Sequence, residues 1–239
     1  GGGFGGSAVV LVGADRADAV ADAVRTRFEQ SGYAAPRTFH VVPGAGAVGF
    51  LQVREQVSVE DKVALGRFGA SLVKPGQVVI LDGGTTALQV ARALPPELRA
   101  TVVTHSPNVA VELAAHRGIE IIVLRGRLFR HSMVNVGAEV ILAASRLRAD
   151  LFFMGATGLH PDEGCSTGDA EEAAVKRALH ERASETIVLA SAEKLMRASP
   201  FLIAPLRELA AIAVPPGTPT RTVRALAAGG VTGRKVPGV

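Results

Sequence analysis

From residue 78 onward, short continuous apolar stretches alternate with stretches whose apolar residues recur at helical spacing. Continuous apolar stretches are typical of strands buried on both faces of a parallel sheet. Strands are predicted at Val78–Leu81, Thr101–Thr104, Ile119–Leu124, Asp150–Gly155 and Thr186–Ala190, with Ile212–Val214 as an edge strand. The pattern therefore predicts an α/β fold, a mostly parallel sheet with helices on both faces.

The helical stretches fall between these strands and before the first of them. Helices are predicted at Glu60–Leu72, Ala87–Leu94, Asn108–His116, Ala138–Arg146 and Asp169–Ala183. The chain before them divides into two parts. Residues 1–7 are a Gly-rich tail or linker. Residues 8–59 read as a strand at Ala8–Val12, a helix at Asp15–Gln30 and a strand at Thr38–Val42. We therefore expect one main domain over residues 60–239.

Composition excludes several classes of function. Hydrophobic residues make up 48% of the chain, enough for a packed core, and aromatic residues only 4%, too few for a base-stacking surface. The single cysteine, Cys165, excludes an internal disulfide and fits a cytoplasmic protein. The six histidines are scattered, so neither a metal site nor a cofactor is predicted. No apolar run reaches the length of a membrane span.

Parallel sheets bind ligands beyond the carboxyl ends of their strands. Four loops meet this condition: Asp82–Thr86, His105–Pro107, Arg125–Val136 and Ala156–Gly168. We therefore expect the functional residues to lie in these loops.

The loop Asp82–Thr86 has the sequence Asp-Gly-Gly-Thr-Thr and joins a buried strand to a helix. Gly83 and Gly84 allow the backbone to turn tightly and approach a ligand, and the N–H groups of the helix start favour an anion. The hydroxyls of Thr85 and Thr86 add donors, which makes phosphate the expected ligand. The alternative is an ordinary turn with a capping threonine.

Two further loops carry polar groups suited to an anion. Thr104, His105 and Ser106 close the next strand, and His105 has a side chain that titrates near neutral pH. Arg125 begins a loop that holds three arginines and Ser132, and a guanidinium can bind phosphate through two hydrogen bonds. The alternative for this loop is a solvated basic segment.

Two lysines complete the candidate residues. Lys176 stands four residues after Glu172 on a helix for which Asp169 is a good N-cap, and such a pair usually stabilises a helix surface. Lys194 follows the strand at Thr186–Ala190, so it can reach the same edge of the sheet. A lysine in that position is either solvated or a point charge for a phosphate.

Seven short sequences, in order, carry a family resemblance. They lie at Glu60–Lys62, Leu81–Thr86, Thr101–Ser106, Val123–Gly126, Phe152–Gly158, Glu171–Lys176 and Ser191–Lys194. Over these residues the chain resembles the effector-sensing domain of the DeoR family of bacterial transcription regulators. The resemblance implies a fold similar to ribose-5-phosphate isomerase and the CoA-transferases, and a phosphorylated sugar or related metabolite as ligand.

The resemblance also implies which residues bind that ligand. They are Asp82 to Thr86, Thr104 to Ser106, Gly126, Gly155, Lys176 and Lys194. Two positions depart from the family pattern: His105 stands where the family more often has Asn, and Arg125 where it more often has Gly. Both departures add a group that can be positively charged beside the expected anion.

A family member normally begins with a winged helix-turn-helix that reads DNA. Residues 1–60 hold five Arg and no Lys against six acidic residues, and no second helix with basic and hydroxyl side chains is evident. Either the DNA reader lies outside these residues or it was lost; a third alternative is that this segment adds a sheet layer. We therefore expect contact with operator DNA only through a reader not evident in residues 1–239.

Three functions remain as hypotheses. The first is a regulator's sensor, in which a phosphosugar binds over the strand ends and shifts a homo-oligomer between two arrangements. The second is a sugar-phosphate isomerase, but the segment after Met154 carries no carboxylate until Asp162 to act as the base. The third is a nucleotide-binding protein without a sensory role.

Overall fold

The computed structural model describes residues 3–4, 7–8, 16–32, 36, 38 and 57–238. Before residue 57, strands β1 (Gly3–Phe4) and β2 (Ser7–Ala8) pair antiparallel, and helix α1 spans Ala17–Gln30. The helix confirms the prediction for this stretch, and Gly32 ends it with a φ of +73°. The strands predicted at Ala8–Val12 and Thr38–Val42 lie almost wholly outside the described residues.

The helices and strands predicted between residues 60 and 214 occur in the predicted order, together with further short strands and one C-terminal helix that were not predicted. The helices are α2 (Val59–Ser71), α3 (Thr85–Ala93), α4 (Pro107–Leu113), α5 (Ala138–Ala144), α6 (Ala170–His180) and α7 (Thr220–Ala228). The strands are β3 (Val78–Leu81), β4 (Ala100–Thr104), β5 (Ile119–Val123), β6 (Arg127–Phe129), β7 (Val134–Val136), β8 (Ala149–Met154), β9 (Gly158–His160), β10 (Gly164–Thr167), β11 (Ala183–Leu189), β12 (Phe201–Ala204), β13 (Ala211–Val214) and β14 (Gly233–Lys235).

Seven of these strands form the main sheet, in the order β14-β13-β11-β8-β3-β4-β5, and every neighbouring pair is parallel. The side chains of β3 alternate between two cores. Val79 and Leu81 pack with residues of α2, α3 and α4, whereas Ile80 packs with residues of α5, α6 and α7. The sheet is therefore covered by helices on both faces, and the predicted fold class is confirmed.

Three details of the prediction were wrong. The strand at Ile212–Val214 is not at an edge, because β14 pairs with β13 on its outer side. The loop Arg125–Val136 contains the antiparallel hairpin β6–β7. The loop Ala156–Gly168 contains β9 and β10, which form a small antiparallel sheet with β12.

In residues 16–32 and 57–238, no helix is both long and apolar enough to cross a membrane.

Candidate functional site

The sheet has a topological switch point between β3 and β8. From β3 the chain moves outward through β4 to β5 and then crosses back to β8 on the other side of β3. Because the connections on the two sides diverge, a crevice forms at the carboxyl ends of these two strands. Asp82 follows β3 directly and Gly155 follows β8 directly, so both lie at this crevice.

Asp82 joins the two strand ends through its buried carboxylate. Its Oδ1 accepts a hydrogen bond of 2.7 Å from the backbone N–H of Gly83, and its Oδ2 accepts one of 2.7 Å from Gly155. Oδ2 also accepts a bond of 2.6 Å from Nζ of Lys176, which donates another of 2.9 Å to the carbonyl oxygen of Gly155. The carboxylate and the ammonium are therefore held by fixed partners on three elements.

Glu172 extends this buried network one turn along α6. Its Oε1 lies 3.3 Å from Nζ of Lys176, while its Oε2 accepts hydrogen bonds from Thr167 at 3.0 Å and Ser132 at 3.5 Å. The sequence favoured a surface pair for Glu172 and Lys176, and this was wrong: both side chains are more than nine-tenths buried. The reason is that this face of α6 turns toward Asp82, whose charge compensates that of Lys176.

The charges of this network stabilise one another. Burial alone would raise the pKa of Asp82, but Lys176, then His105 and the hydrogen bonds, hold that pKa below its usual value. Burial alone would lower the pKa of Lys176, but Asp82 and Glu172 raise it above its usual range. Asp82 and Lys176 are therefore both charged near neutral pH, as expected for a buried pair with good geometry.

His105 lies against the other oxygen of the Asp82 carboxylate. Its ring is fully buried, and its Nε2 is 3.3 Å from Oδ1 of Asp82. Neither ring nitrogen has a hydrogen-bond partner among the described residues. Burial lowers the pKa of His105, and the attraction of Asp82 only partly opposes this effect.

The Gly83-Gly84 turn leads directly into α3. Gly84 precedes the helix with a φ of +96°, a conformation that favours glycine, and no side chain caps the helix start. Thr85 and Thr86 form the buried first turn, and Oγ1 of Thr86 has no hydrogen-bond partner within the described part of the chain. The turn therefore lacks the capping threonine of the alternative interpretation and keeps the anion-binding character of an uncapped helix start.

The hairpin β6–β7 covers these residues. The backbone N–H of Asn135 donates to the carbonyl oxygen of His105 at 2.7 Å, and Ser106 donates through Oγ to Met133 at 3.2 Å. A Cβ on Gly83 would overlap Cγ1 of Val134, so glycine is required there by the close approach of the hairpin. Most of the candidate residues at the switch point are therefore buried beneath the hairpin, whereas Gly83 and Gly155 stay partly exposed.

Gly126 and Arg125 lie at the base of the hairpin. A Cβ on Gly126 would come within 2.6 Å of Cγ2 of Val140, so its packing against α5 explains this glycine without a ligand. The side chain of Arg125 is 80% exposed and forms an ion pair of 3.4 Å with Glu139. The structure thus leaves the Arg125 side chain outside the buried network, and its role in binding stays a prediction.

Lys194 belongs to a second polar cluster, at the end of β11. It ends a short 3₁₀ turn, Ala192–Lys194, in which Glu193 accepts hydrogen bonds from Ser191 at 2.5 Å and Ser58 at 3.3 Å. Ser58 precedes α2 and has a left-handed φ of +52°. A cavity of about 330 Å³ opens beside this turn, between Asp61 and Thr218.

The structure therefore brings most of the predicted residues together. The residues at the switch point are Asp82, Gly83, Gly84, Thr85, Thr86, Thr104, His105, Ser106, Ser132, Gly155 and Lys176. Sequence reasoning missed the part played by Glu172 and Thr167. The Glu172–Lys176 spacing pointed to an ion pair, but only the three-dimensional fold shows that this pair is buried. The described residues include no cluster of three or more His, Cys, Asp or Glu side chains placed to bind a metal.

Comparison with known proteins identifies the family. The model of the DeoR C terminal sensor domain matches residues 57–214, which is more than half of the chain. The chain belongs to this DeoR sensor-domain family. The family assignment made from the seven short sequences is thereby confirmed.

Proteins similar in sequence to this DeoR sensor domain are named as transcription regulators. The HTH-type transcriptional regulator GlpR of Haloferax volcanii is 32% identical over 65% of the chain and 61% of its own length. The HTH-type transcriptional repressor GlcR of Bacillus subtilis is 35% identical over 63% of the chain and 57% of its own length. The matched part of the chain thus spans about three fifths of the length of these two relatives. Among solved structures, ribose 5-phosphate isomerase A of Methanocaldococcus jannaschii matches at 19% identity and a TM-score of 0.41, over 56% of this chain and 52% of that one.

Proposed function

We propose that this chain is the effector sensor of a cytoplasmic DeoR-type transcription regulator. A phosphorylated sugar or related metabolite binds over the strand ends at the switch point, and binding controls the contact of the full regulator with operator DNA. The sensor acts within a homo-oligomer that changes arrangement when the effector binds. Contact with operator DNA is made through a reader that is not evident in residues 1–239.

One observation carries the proposal: the uncapped start of α3 follows the Gly83-Gly84 turn at the switch point of the sheet. The backbone N–H groups of such a start attract an anion, and the helix dipole adds to the attraction. The hydroxyl of Thr86, which has no hydrogen-bond partner in the described part of the chain, supplies a further donor beside them. A phosphate group fits this set of donors better than a neutral ligand does.

The buried network supports a role in binding without turnover. A sugar-phosphate isomerase needs a general base whose carboxylate is available to the substrate. The carboxylate of Asp82 is already held by Lys176 and by two backbone N–H groups, and its pKa is lowered. A carboxylate held in this way is a weak base, which favours the sensor over the isomerase.

A thermal-shift screen against phosphorylated pentoses, hexoses and trioses tests the proposal. A ligand at 100 times its Kd should stabilise the protein by about 2.7 kcal/mol. The non-phosphorylated sugars are the matched controls, and they should give no shift. Free nucleotides test the third hypothesis in the same plate, and it prevails if they bind more tightly than every sugar phosphate.

A coupled isomerase assay on the same compounds separates the two remaining functions. Sensor function predicts stabilisation without turnover, whereas turnover above background would favour the enzyme.

A gel shift at about 0.15 M salt tests the prediction about DNA, because residues 1–239 should show no nanomolar, sequence-dependent binding of operator DNA.

A further inference from the structure

His105 is a buried polar ring for which the described protein supplies no hydrogen bond. It is fully shielded from solvent, and in the described residues neither nitrogen has a hydrogen bond: Nε2 has only the charge of Asp82 at 3.3 Å, and Nδ1 has no polar contact that compensates it. A buried group without a partner destabilises a protein, so native structures rarely keep one without a role. The position at the end of β4, beside the glycine turn, makes a bound ligand the most direct explanation.

The charges around this ring define what it can do. The ionisable groups that act on it are Asp82, after β3, and Glu172 and Lys176 on α6. The hairpin β6–β7 contacts it through the uncharged backbone of Asn135. With two carboxylates, one ammonium and a neutral ring, the group carries one net negative charge.

An anion that reaches the turn at Gly83 and Gly84 arrives directly beside this negative group. The anion is repelled unless a positive charge appears with it. Of the four ionisable groups in the network, His105 is the one that can acquire a positive charge, because Lys176 already carries one and the carboxyl groups only become neutral when they bind a proton.

We propose that His105 takes up a proton from solvent when an anionic effector binds, so that effector binding is linked to pH. This inference rests on the proposed function, because it concerns the same anion site. Nε2 faces the carboxylate of Asp82, so the ring proton of the unbound state is assigned to Nε2 and the added proton to Nδ1. The charged ring then lies between the Asp82 carboxylate and the incoming anion.

The titration of the ring agrees with this geometry. Burial lowers the pKa of His105 in the absence of ligand, so the ring is neutral near pH 7. A second negative charge raises that pKa, because it stabilises the charged form. Each proton that is bound with the anion contributes up to a tenfold increase in affinity for each unit by which the pH falls.

Calorimetric titration with inorganic sulfate tests the linkage, because sulfate keeps its charge from pH 5.5 to 8.5. Measurements in two buffers of different ionisation enthalpy give the number of protons taken up. The wild-type protein should take up close to one proton at pH 7.5, and its affinity should rise several-fold for each unit of decreasing pH. The variant His105→Asn should take up none and bind sulfate with little dependence on pH.

His116→Asn is the matched control. His116 precedes β5 at the amino ends of the strands, away from the proposed anion site, so this variant should take up as many protons as the wild-type protein. Inorganic phosphate itself gains a proton near pH 7. For phosphate, therefore, only the difference in proton uptake between the wild-type protein and His105→Asn is compared. Sulfate binding with the same pH dependence in wild type and His105→Asn would overturn the linkage and leave the anion site standing.

Absence of binding of both anions by the wild-type protein at every pH would overturn the anion site and the linkage together. The wild-type protein provides a second test that needs no variant. At pH 7.5 the NMR shifts of the His105 ring should move from those of neutral imidazole to those of imidazolium when sulfate is added. Unchanged shifts at saturating sulfate would refute the proton uptake.

Discussion

The ion pair between Asp82 and Lys176 makes a large and measurable contribution to stability. The substitution Lys176→Met removes the ammonium and keeps a side chain of similar length, so Asp82 stays buried with its two backbone N–H partners and the ring of His105 beside it. Removal of one member of a buried ion pair costs about 3–5 kcal/mol. For a domain of this size, that loss lowers the Tm by about 6–20 °C.

The stability lost through Lys176→Met should depend on pH. Lys176 is the largest influence that opposes the effect of burial on Asp82, so without it burial should raise the pKa of Asp82 above the value in the unfolded chain. A carboxyl group of this kind binds its proton more tightly when folded, so it contributes stability at low pH that is lost as the pH rises. The loss caused by Lys176→Met should therefore be larger at pH 8 than at pH 5.

Urea unfolding at pH 5, 6.5 and 8, followed by circular dichroism, measures these differences. The double variant Asp82→Asn with Lys176→Met is the control, because it removes both charges of the pair and leaves Glu172 as it is in the single variant, while the side-chain oxygen can still accept a backbone hydrogen bond. It should recover at least half of the lost stability. A loss below about 1 kcal/mol at pH 8, or equal losses in the single and double variants, would refute the ion-pair argument.

Four further predictions concern stability and binding. Gly84→Val places a branched side chain at a φ of +96°, so it should cost about 1–3 kcal/mol and abolish the thermal shift caused by a sugar phosphate. Gly83→Ala should expose the hairpin to proteolysis within residues 125–136, because its Cβ overlaps Val134; an unchanged cleavage pattern would contradict this. Arg125→Ala should change stability by less than about 0.5 kcal/mol, since its ion pair is exposed, so a loss of anion affinity would report ligand contact. The ligand-free protein should lose stability as the pH falls below about 6.5, because the lowered pKa of His105 means that the unfolded chain binds more protons; His105→Asn should weaken this dependence in chemical unfolding.

The sequence was most informative where local pattern and position agree. The strand Val78–Leu81 is apolar throughout and lies between two turn sequences, so both its type and its limits could be predicted. Because its carboxyl end lies at the ligand-binding edge of a parallel sheet, the turn at Asp82–Thr86 could be singled out from the sequence alone.

The sequence was least informative where pairing depends on distant residues. The strands β9 and β10 are too short to show a periodicity, and β10 pairs with β12, more than thirty residues away. Glu172 and Lys176 are four residues apart, and this spacing is the same whether an ion pair on a helix is exposed or buried. Their burial depends on Asp82, which lies 94 residues before Lys176 in the chain.

This separation has a consequence for the protein while it is being made. Asp82 leaves the ribosome 94 residues before Lys176, so the turn after β3 exists for a time without the ammonium that compensates its carboxylate. At synthesis rates of about 5–20 residues per second, that interval lasts about 5–20 s. The long loop must then close before the two charges meet, which places completion of the site late in folding. A nascent chain that ends before α6 therefore lacks the completed network of Asp82, Lys176 and Glu172.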